Sequence, residues 1–465
     1  MRPNQPTITG TAIRLAYAGA LALLMARGAT AQTAVLTTLY NFQGATDGSS
    51  PAGVIAGKNG ELFGVTEFGG AHPCGYGSPG CGTVFELTPA ASGAWSKREI
   101  FNFNGIDGGH PSFNPVFGQD GVLYGTTLHG GVHHVGILTG TVFKLAPPDE
   151  NAGGDWTETV LYTFPETYTL QTSPAGALFI GPSGAIYGPA FNNGYTPIDG
   201  APDGGVVFEL TPPGMAGNRW TDRIILKFPA RKSLGLGPQA AVVAVGQSLY
   251  GTTTYDHYSD YNFSGCGAVY ELSPPAVAGG IWIGGTIYDF KGGDDGCNSV
   301  APLTEGPGVF YGTTNFGGGG ACAVYSSEGC GTVFQLTAPA TPGGAWTETV
   351  IYSFTALNDD GAYPTAGLVL GKNGVLYGTT SYGGSAATGL GCYYWGATGC
   401  GTVFQLTPPP TQGGAWTETI LHSFTGENGD GAGPGQLVLG PAGILYGTTS
   451  SGGSSGYGIV FAVTP

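Results

Sequence analysis

Leu376-Tyr377-Gly378-Thr379-Thr380 lies between two glycine turns, and its copies decide how the chain is read. It recurs as Leu62-Phe63-Gly64-Val65-Thr66, as Leu123-Tyr124-Gly125-Thr126-Thr127 and, shortened, as Ile186-Tyr187-Gly188. Further copies start at Leu249, Phe310 and Leu445. The spacing is about sixty to seventy residues, a period that signals a repeat architecture. Upstream of the motif stands an apolar segment and a turn, Gly371-Lys372-Asn373-Gly374. Downstream comes a variable loop, then Gly401-Thr402-Val403-Phe404-Gln405-Leu406-Thr407-Pro408 and Trp416-Thr417-Glu418-Thr419-Ile420-Leu421-His422-Ser423-Phe424.

Each segment is short, rich in β-branched and aromatic residues, and bounded by Gly, Pro, Asn or Asp, which predicts strands. Val403, Gln405 and Thr407 alternate with Phe404, Leu406 and Pro408, so one face of that strand is buried. Four strands per copy and seven copies predict an all-β fold, a seven-bladed β-propeller with four antiparallel strands per blade. A solenoid is the alternative, and it requires atypical capping repeats. The last copy instead stops after its third segment, Gly458-Ile459-Val460-Phe461-Ala462-Val463-Thr464. The missing fourth segment has its match near the other end, in Leu36-Thr37-Thr38-Leu39-Tyr40-Asn41-Phe42. The N-terminal strand is therefore expected to complete the last blade and to remove two open edges.

The chain has 465 residues, of which only 9% are charged, with a net charge of −16. Such a surface repels phosphate backbones, so nucleic acid is not an expected partner. Arg2 and Arg14 precede an apolar run, 15–26, and Ala29-Thr30-Ala31 fits a small-x-small cleavage site. Residues 1–31 read as a secretory signal peptide, leaving 32–465 as one propeller domain, secreted, not membrane-spanning and monomeric.

With strands lettered A to D from the axis outward, the B–C and D–A loops share one face, and the variable insertions are all B–C loops. Cys74 and Cys81, Cys322 and Cys330, and Cys392 and Cys400 each bracket one such loop. Cys266 precedes strand C of the fourth copy and Cys297 lies in the next D–A loop, so these two are expected to bridge adjacent blades. An even cysteine count in an exported chain supports disulfides over metal binding. His72, His110, His129, His133 and His134 map to one sector of this face, with Glu67 and Asp107 nearby. His110, His129, His133, His134 and Glu67 are the candidates for acid–base chemistry or for a metal. Against that stands the plainer reading of polar loop residues in a charge-poor chain. Tyr393, Tyr394 and Trp395, inside the Cys392–Cys400 loop, are candidates for stacking on sugar rings, with His72 as a further contact. Alternatively they cover a neighbouring loop.

Asp-Gly recurs before strand A at Asp47, Asp107, Asp295, Asp360 and Asp430, which reads as a turn. Calcium at Asn358-Asp359-Asp360 or Asp294-Asp295 is the alternative, without an EF-hand pattern; no other cofactor is indicated. The recurring Trp95, Trp156, Trp220, Trp282, Trp346 and Trp416 read as packing at the start of strand D. No nucleophile elbow, phosphate-binding loop or zinc-protease motif occurs.

The repeat resembles the GloVer tandem-repeat family of exported bacterial proteins. The resemblance rests on Asp360-Gly361, Leu376 to Thr380, Gly383-Gly384 and Gly401 to Pro408, and it covers nearly all of the chain beyond the leader. It implies export and no particular activity. Copies three and four depart from the pattern at Gly188-Pro189-Ala190 and Gly267-Ala268-Val269, which marks their blades for looser packing or a distinct role. Two functions remain. One is a binding or scaffold protein that holds a glycan or an extracellular protein on the insertion-rich face. The other is a secreted polysaccharide hydrolase or lyase using the histidines and Glu67.

Overall fold

The computed structural model describes residues 34–465 apart from 75–77, 132–138, 150–153, 165, 168–169, 193–203, 215–218, 229–234, 260–261, 278, 321, 323–328, 342, 386–391, 395–396 and 412. The candidate leader lies outside the described residues, as do His133, His134 and Trp395.

Seven antiparallel sheets form a ring, one for each copy of the repeat. Blade 1 runs Ser49–Ala56, Leu62–Phe68, Thr83–Pro89, Trp95–Asn102, and blade 5 runs Thr304–Gly306, Val309–Thr314, Thr332–Thr337, Thr347–Ser353. Blade 7 takes its outer strand from the other end of the chain. Val35–Asn41 pairs antiparallel with Ile459–Thr464, in a register running from Val35 opposite Thr464 to Asn41 opposite Ile459. The expected closure is therefore present.

The borrowed strand copies a native outer strand in detail. In every blade the C–D ladder slips by one residue after the first apolar pair, leaving an extra residue in strand D. That residue is Leu39, Ile100, Leu161, Ile225, Ile287, Ile351 or Leu421. A bulge in this position bends the outer strand and increases its local twist. It is always an aliphatic residue, and the closing strand also carries one.

What holds blade to blade is an aromatic pair repeated around the ring. The Phe that ends strand D of one blade meets, edge to face, the aromatic of strand C in the next. The seven pairs are Phe42–Phe85, Phe103–Phe143, Phe164–Phe208, Phe228–Tyr270, Phe290–Phe334, Phe354–Phe404 and Phe424–Phe461, with centroids 5.1–5.3 Å apart. That geometry matches the preferred T-shaped arrangement of aromatic quadrupoles. It also explains the glycine present in every copy of the Leu-Tyr-Gly motif. A Cβ on Gly64 would stand 2.5 Å from Cζ of Phe85, so no side chain fits beneath the ring. Blades 3 and 4 keep the pair at the same distance as the others, so the departures in their sequences do not loosen these seams. The recurring Trp packs as expected, against the aromatic of a neighbouring blade's motif, as in Trp416–Tyr311 and Trp95–Tyr446.

Blade 4 alone places a tyrosine in the ring. Tyr270 is fully buried and its hydroxyl has no hydrogen-bond partner. A buried unsatisfied hydroxyl costs about 1–3 kcal/mol. Tyr270→Phe is therefore expected to raise the unfolding free energy by about 1–2 kcal/mol, read as a higher midpoint in denaturant. An unchanged or lower midpoint would show that the hydroxyl is satisfied.

Candidate ligand-binding face

The loop face is assembled by the Asp-Gly turns. The Asp360 carboxylate accepts hydrogen bonds from Thr355 N–H and its hydroxyl, both at 2.6 Å, and from Gly361 N–H at 2.7 Å. Asp47 accepts from Gln43 N–H and from the Tyr40 hydroxyl, each at 2.7 Å. Asp295 accepts from Lys291 N–H at 2.7 Å and from the Tyr288 hydroxyl. The following glycine presses on the second motif threonine. Gly48 sits at φ 88°, and a Cβ there would stand 2.5 Å from Thr66 Oγ1. The turn reading of Asp-Gly accounts for these contacts, and loop donors already engage Asp360 and Asp295, one carboxylate in each segment proposed for calcium. Among the described residues no three His, Cys, Asp or Glu side chains converge on one point.

Three residues beyond each Asp-Gly pair's aspartate comes a residue that wedges between blades. Its N–H donates to the carbonyl just before the previous blade's strand C, and its carbonyl accepts from the end of its own strand B. His110 donates to Cys81 O and accepts from Leu128 N–H. Asn298 does so with Cys266 and Asn315, and Tyr363 with Cys330 and Ser381. All three take positive φ, at 57°, 61° and 56°, a conformation forced by bridging two blades. His110 and Tyr363 are therefore one structural position occupied by different side chains.

This equivalence recasts the histidines. His110 lies between Phe68 (5.0 Å) and His129 (4.5 Å), just as Tyr363 lies between Phe316 (5.6 Å) and Tyr382 (6.1 Å). Burial, with the neighbouring His129, lowers the His110 pKa to about 4, and burial lowers that of His129. Both rings are neutral at pH 7. Ser78 Oγ donates to Gly80 O at 2.9 Å, so across its 3.0 Å contact with His110 Nε2 the imidazole is the donor. His110 thus does not serve Ser78 as a base. Burial raises the Glu67 carboxyl despite a hydrogen bond from Ser112. His72 lies near Asp107, where burial still raises the carboxyl. The structure brings His110 and His129 together and sets His72 beside Asp107.

On the far side of the face the wedge is aromatic. Tyr394 stacks on Tyr382 at 5.1 Å with planes 18° apart and meets Tyr363 edge-on at 5.3 Å. The hairpin that carries it, Tyr393–Tyr394 against Ala397–Thr398, is clamped by Cys392–Cys400. Tyr393 is 55% exposed and Tyr394 37%. Tyr394 also approaches Tyr255 of blade 4, which, after burial, raises that phenol's pKa. Sequence reasoning missed Tyr255, Phe316 and Tyr382. Their signal was an aromatic two residues past the motif threonines, seen also in Phe68 and His129.

All eight cysteines pair as their spacing predicts. Cys74–Cys81, Cys322–Cys330 and Cys392–Cys400 close loops within blades, and Cys266–Cys297 joins blade 4 to the loop entering blade 5. Among the described residues no helix is long and apolar enough to cross a membrane.

A ring of seven repeats closed by a strand from the opposite end, with disulfide-pinned loops on one face, defines the class as a repeat-built β-propeller. Residues 26–188 and 138–391 match the Gloeobacter/Verrucomicrobia repeat, and the chain belongs to that family. No curated protein matches it. Among solved structures it is similar to the PQQ-bound aldose sugar dehydrogenase of Streptomyces coelicolor, at 11% identity and TM-score 0.40, over 92% of this chain and 98% of that one. A putative oxidoreductase (glucose dehydrogenase) of Thermus thermophilus is similar at 14% identity and TM-score 0.36, over 93% and 100%. A gluconolactonase of Xanthomonas campestris is similar at 10% identity and TM-score 0.36, over 92% and 89%. Likeness at this level carries no inference about chemistry.

Proposed function

We propose that the protein is an exported binding propeller that holds a neutral glycan on its loop face. The observation that carries this reading is the aromatic wall of Tyr363, Tyr382 and Tyr394, with Tyr393 exposed on the same pinned hairpin. Flat aromatic rings dock the apolar faces of sugars, and a disulfide-clamped loop loses little freedom on binding. Four disulfides suit an oxidising compartment, which supports export. The hydrolase or lyase reading is less supported, because His110 fills the wedge position that Tyr363 fills elsewhere.

Glycan arrays followed by titration test the proposal. Tyr394→Ala and Tyr393→Ala are each expected to weaken binding by about tenfold, the scale of one lost aromatic contact. His110→Ala is expected to leave it unchanged. No bound glycan on the array, or full affinity in the tyrosine variants, would remove the reading. Polysaccharide turnover lost in His110→Ala and His129→Ala would replace it with the enzyme.

A further inference from the structure

The seven inner strands leave a cavity of ≈ 230 Å³ on the ring axis. Every blade contributes to its wall, and among the described residues no Asp, Glu, His, Lys or Arg does. The polar groups are neutral, chiefly the amides of Asn114, Gln239 and Gln436. The chain carries 30 acids and 14 bases, yet none of those among the described residues lines this wall. A second cavity of ≈ 280 Å³ sits at the loop-face end, shares Phe113, Gln239 and Val300 with the first, and adds Leu128, Pro174 and Phe191. Among the described residues it too has no ionisable side chain in its wall.

The aromatic wall leads to this mouth. Tyr394 approaches Tyr255. Tyr255 and Phe191 flank Gly237, where a Cβ would lie 3.6 Å from the one ring and 3.3 Å from the other. Tyr382, Tyr394, Tyr255 and Phe191 thus form a line from blade 6 to the opening between blades 2, 3 and 4.

We propose that the axial cavities form a subsite for the uncharged terminal unit of the glycan whose neighbouring units lie on the aromatic wall. This rests on the binding reading above. An anionic ligand entering here would lose its hydration and meet no counter-charge among the described lining residues, which is costly. A carbohydrate hydroxyl both donates and accepts, and a side-chain amide answers both needs. Phe113, Phe191 and Val300 supply apolar cover for the ring faces. Each volume is below the usual range of drug-sized pockets, about 300–1,000 Å³. The space is therefore sized for a chain end of one or two units.

The test is calorimetric titration of the full chain beyond the leader with cello-, xylo- and manno-oligosaccharides of two to six units. The same oligosaccharides ending in a uronic acid, or at the opposite end in an aldonic acid, are run in parallel. Ala177→Phe narrows the axis and Gln239→Leu removes an amide; both are checked for an unchanged unfolding midpoint, and Gln436→Leu substitutes if either fails to fold. Affinity is expected to be at least about tenfold weaker in these variants, and for the acid-ended series whose charge falls at the buried end. Equal affinity for the neutral and both acid-ended series would overturn the axial subsite. If axial variants bind neutral sugars as the parent does while Tyr394→Ala does not, the axial subsite is likewise overturned and the face reading stands. If the axial variants and Tyr394→Ala all bind normally, or if no oligosaccharide binds, both are overturned.

Discussion

Phe42→Ala is expected to lower the unfolding free energy by about 3–5 kcal/mol, the cost of emptying a large buried aromatic site. Phe42 is fully buried, donates its N–H to Gly458 O at 3.1 Å, and meets Phe85 across the last seam. The informative comparison is Phe354→Ala, which removes the same ring from a seam inside the continuous chain. Equal losses in chemical denaturation would show that the borrowed strand is as firmly held as any native outer strand. A loss below about 1 kcal/mol for Phe42 alone would mean that this seam is frayed in solution. Adding Thr37→Pro, at a residue opposite Ala462 in the ladder, should deepen the effect by breaking strand pairing.

Stability is also expected to fall as the pH rises from about 5.5 to about 8. Glu158, Glu348 and Glu418 occupy the same position in strand D of blades 2, 5 and 6, opposite the strand C leucine. Burial first, and then the Asp107, Asp295 or Asp360 carboxyl of the same seam, raises each to a pKa of about 7. In each, Oε1 is buried without a partner. The acid form fits the folded ring better than the anion does. Such a group's stabilisation is fully present below its unfolded pKa and is lost as pH climbs through about 7. After discounting for solvent screening of the half-buried pair, the loss is on the order of 1–2 kcal/mol per glutamate. Asp430 behaves in the opposite sense. Burial would raise it, but the His422 hydrogen bond and loop amides hold it below the usual range, so its contribution fades only in acid. Unfolding midpoints at the two ends of that pH range test this, with Glu158, Glu348 and Glu418 changed together to Gln. The triple variant should lose most of the slope; an unaltered slope would assign it to general repulsion in a chain of net charge −16.

The ring and its closure were legible because they are written in repeats. Leu376 to Thr380 has six counterparts, and residues 36–42 match a segment that the seventh copy lacks. Three of the disulfides were legible because each cysteine pair brackets a single loop, and the fourth because its two thiols lie in neighbouring loops of one face. Seam contacts were harder to read, since Phe354 and Phe404 belong to different blades and no local pattern couples them. The face was misweighted for a physical reason. Histidines stand out in a chain with few ionisable groups, so His110 drew attention as chemistry. Tyr363, three residues past Asp360 as His110 is past Asp107, does not stand out among the chain's many aromatics. Only the shared hydrogen bonds and positive φ show that the two fill one role. The axial cavity left no mark in the sequence, because it is made of scattered neutral residues, each ordinary where it stands.

The pairing of Val35–Asn41 with Ile459–Thr464 also governs the order of events during folding. Contacts such as Ser454 N–H to Asn41 Oδ1 span 413 residues, so the earliest described strand waits for nearly the entire polypeptide to be made. Until then six modules can stack but the annulus stays open, with one unsatisfied rim at each side of the gap. Long-range pairing of this kind is slow. A chain whose modules have stacked without closing would expose borders able to join a neighbouring molecule as readily as each other, so low protein concentration is expected to favour the correct product during refolding.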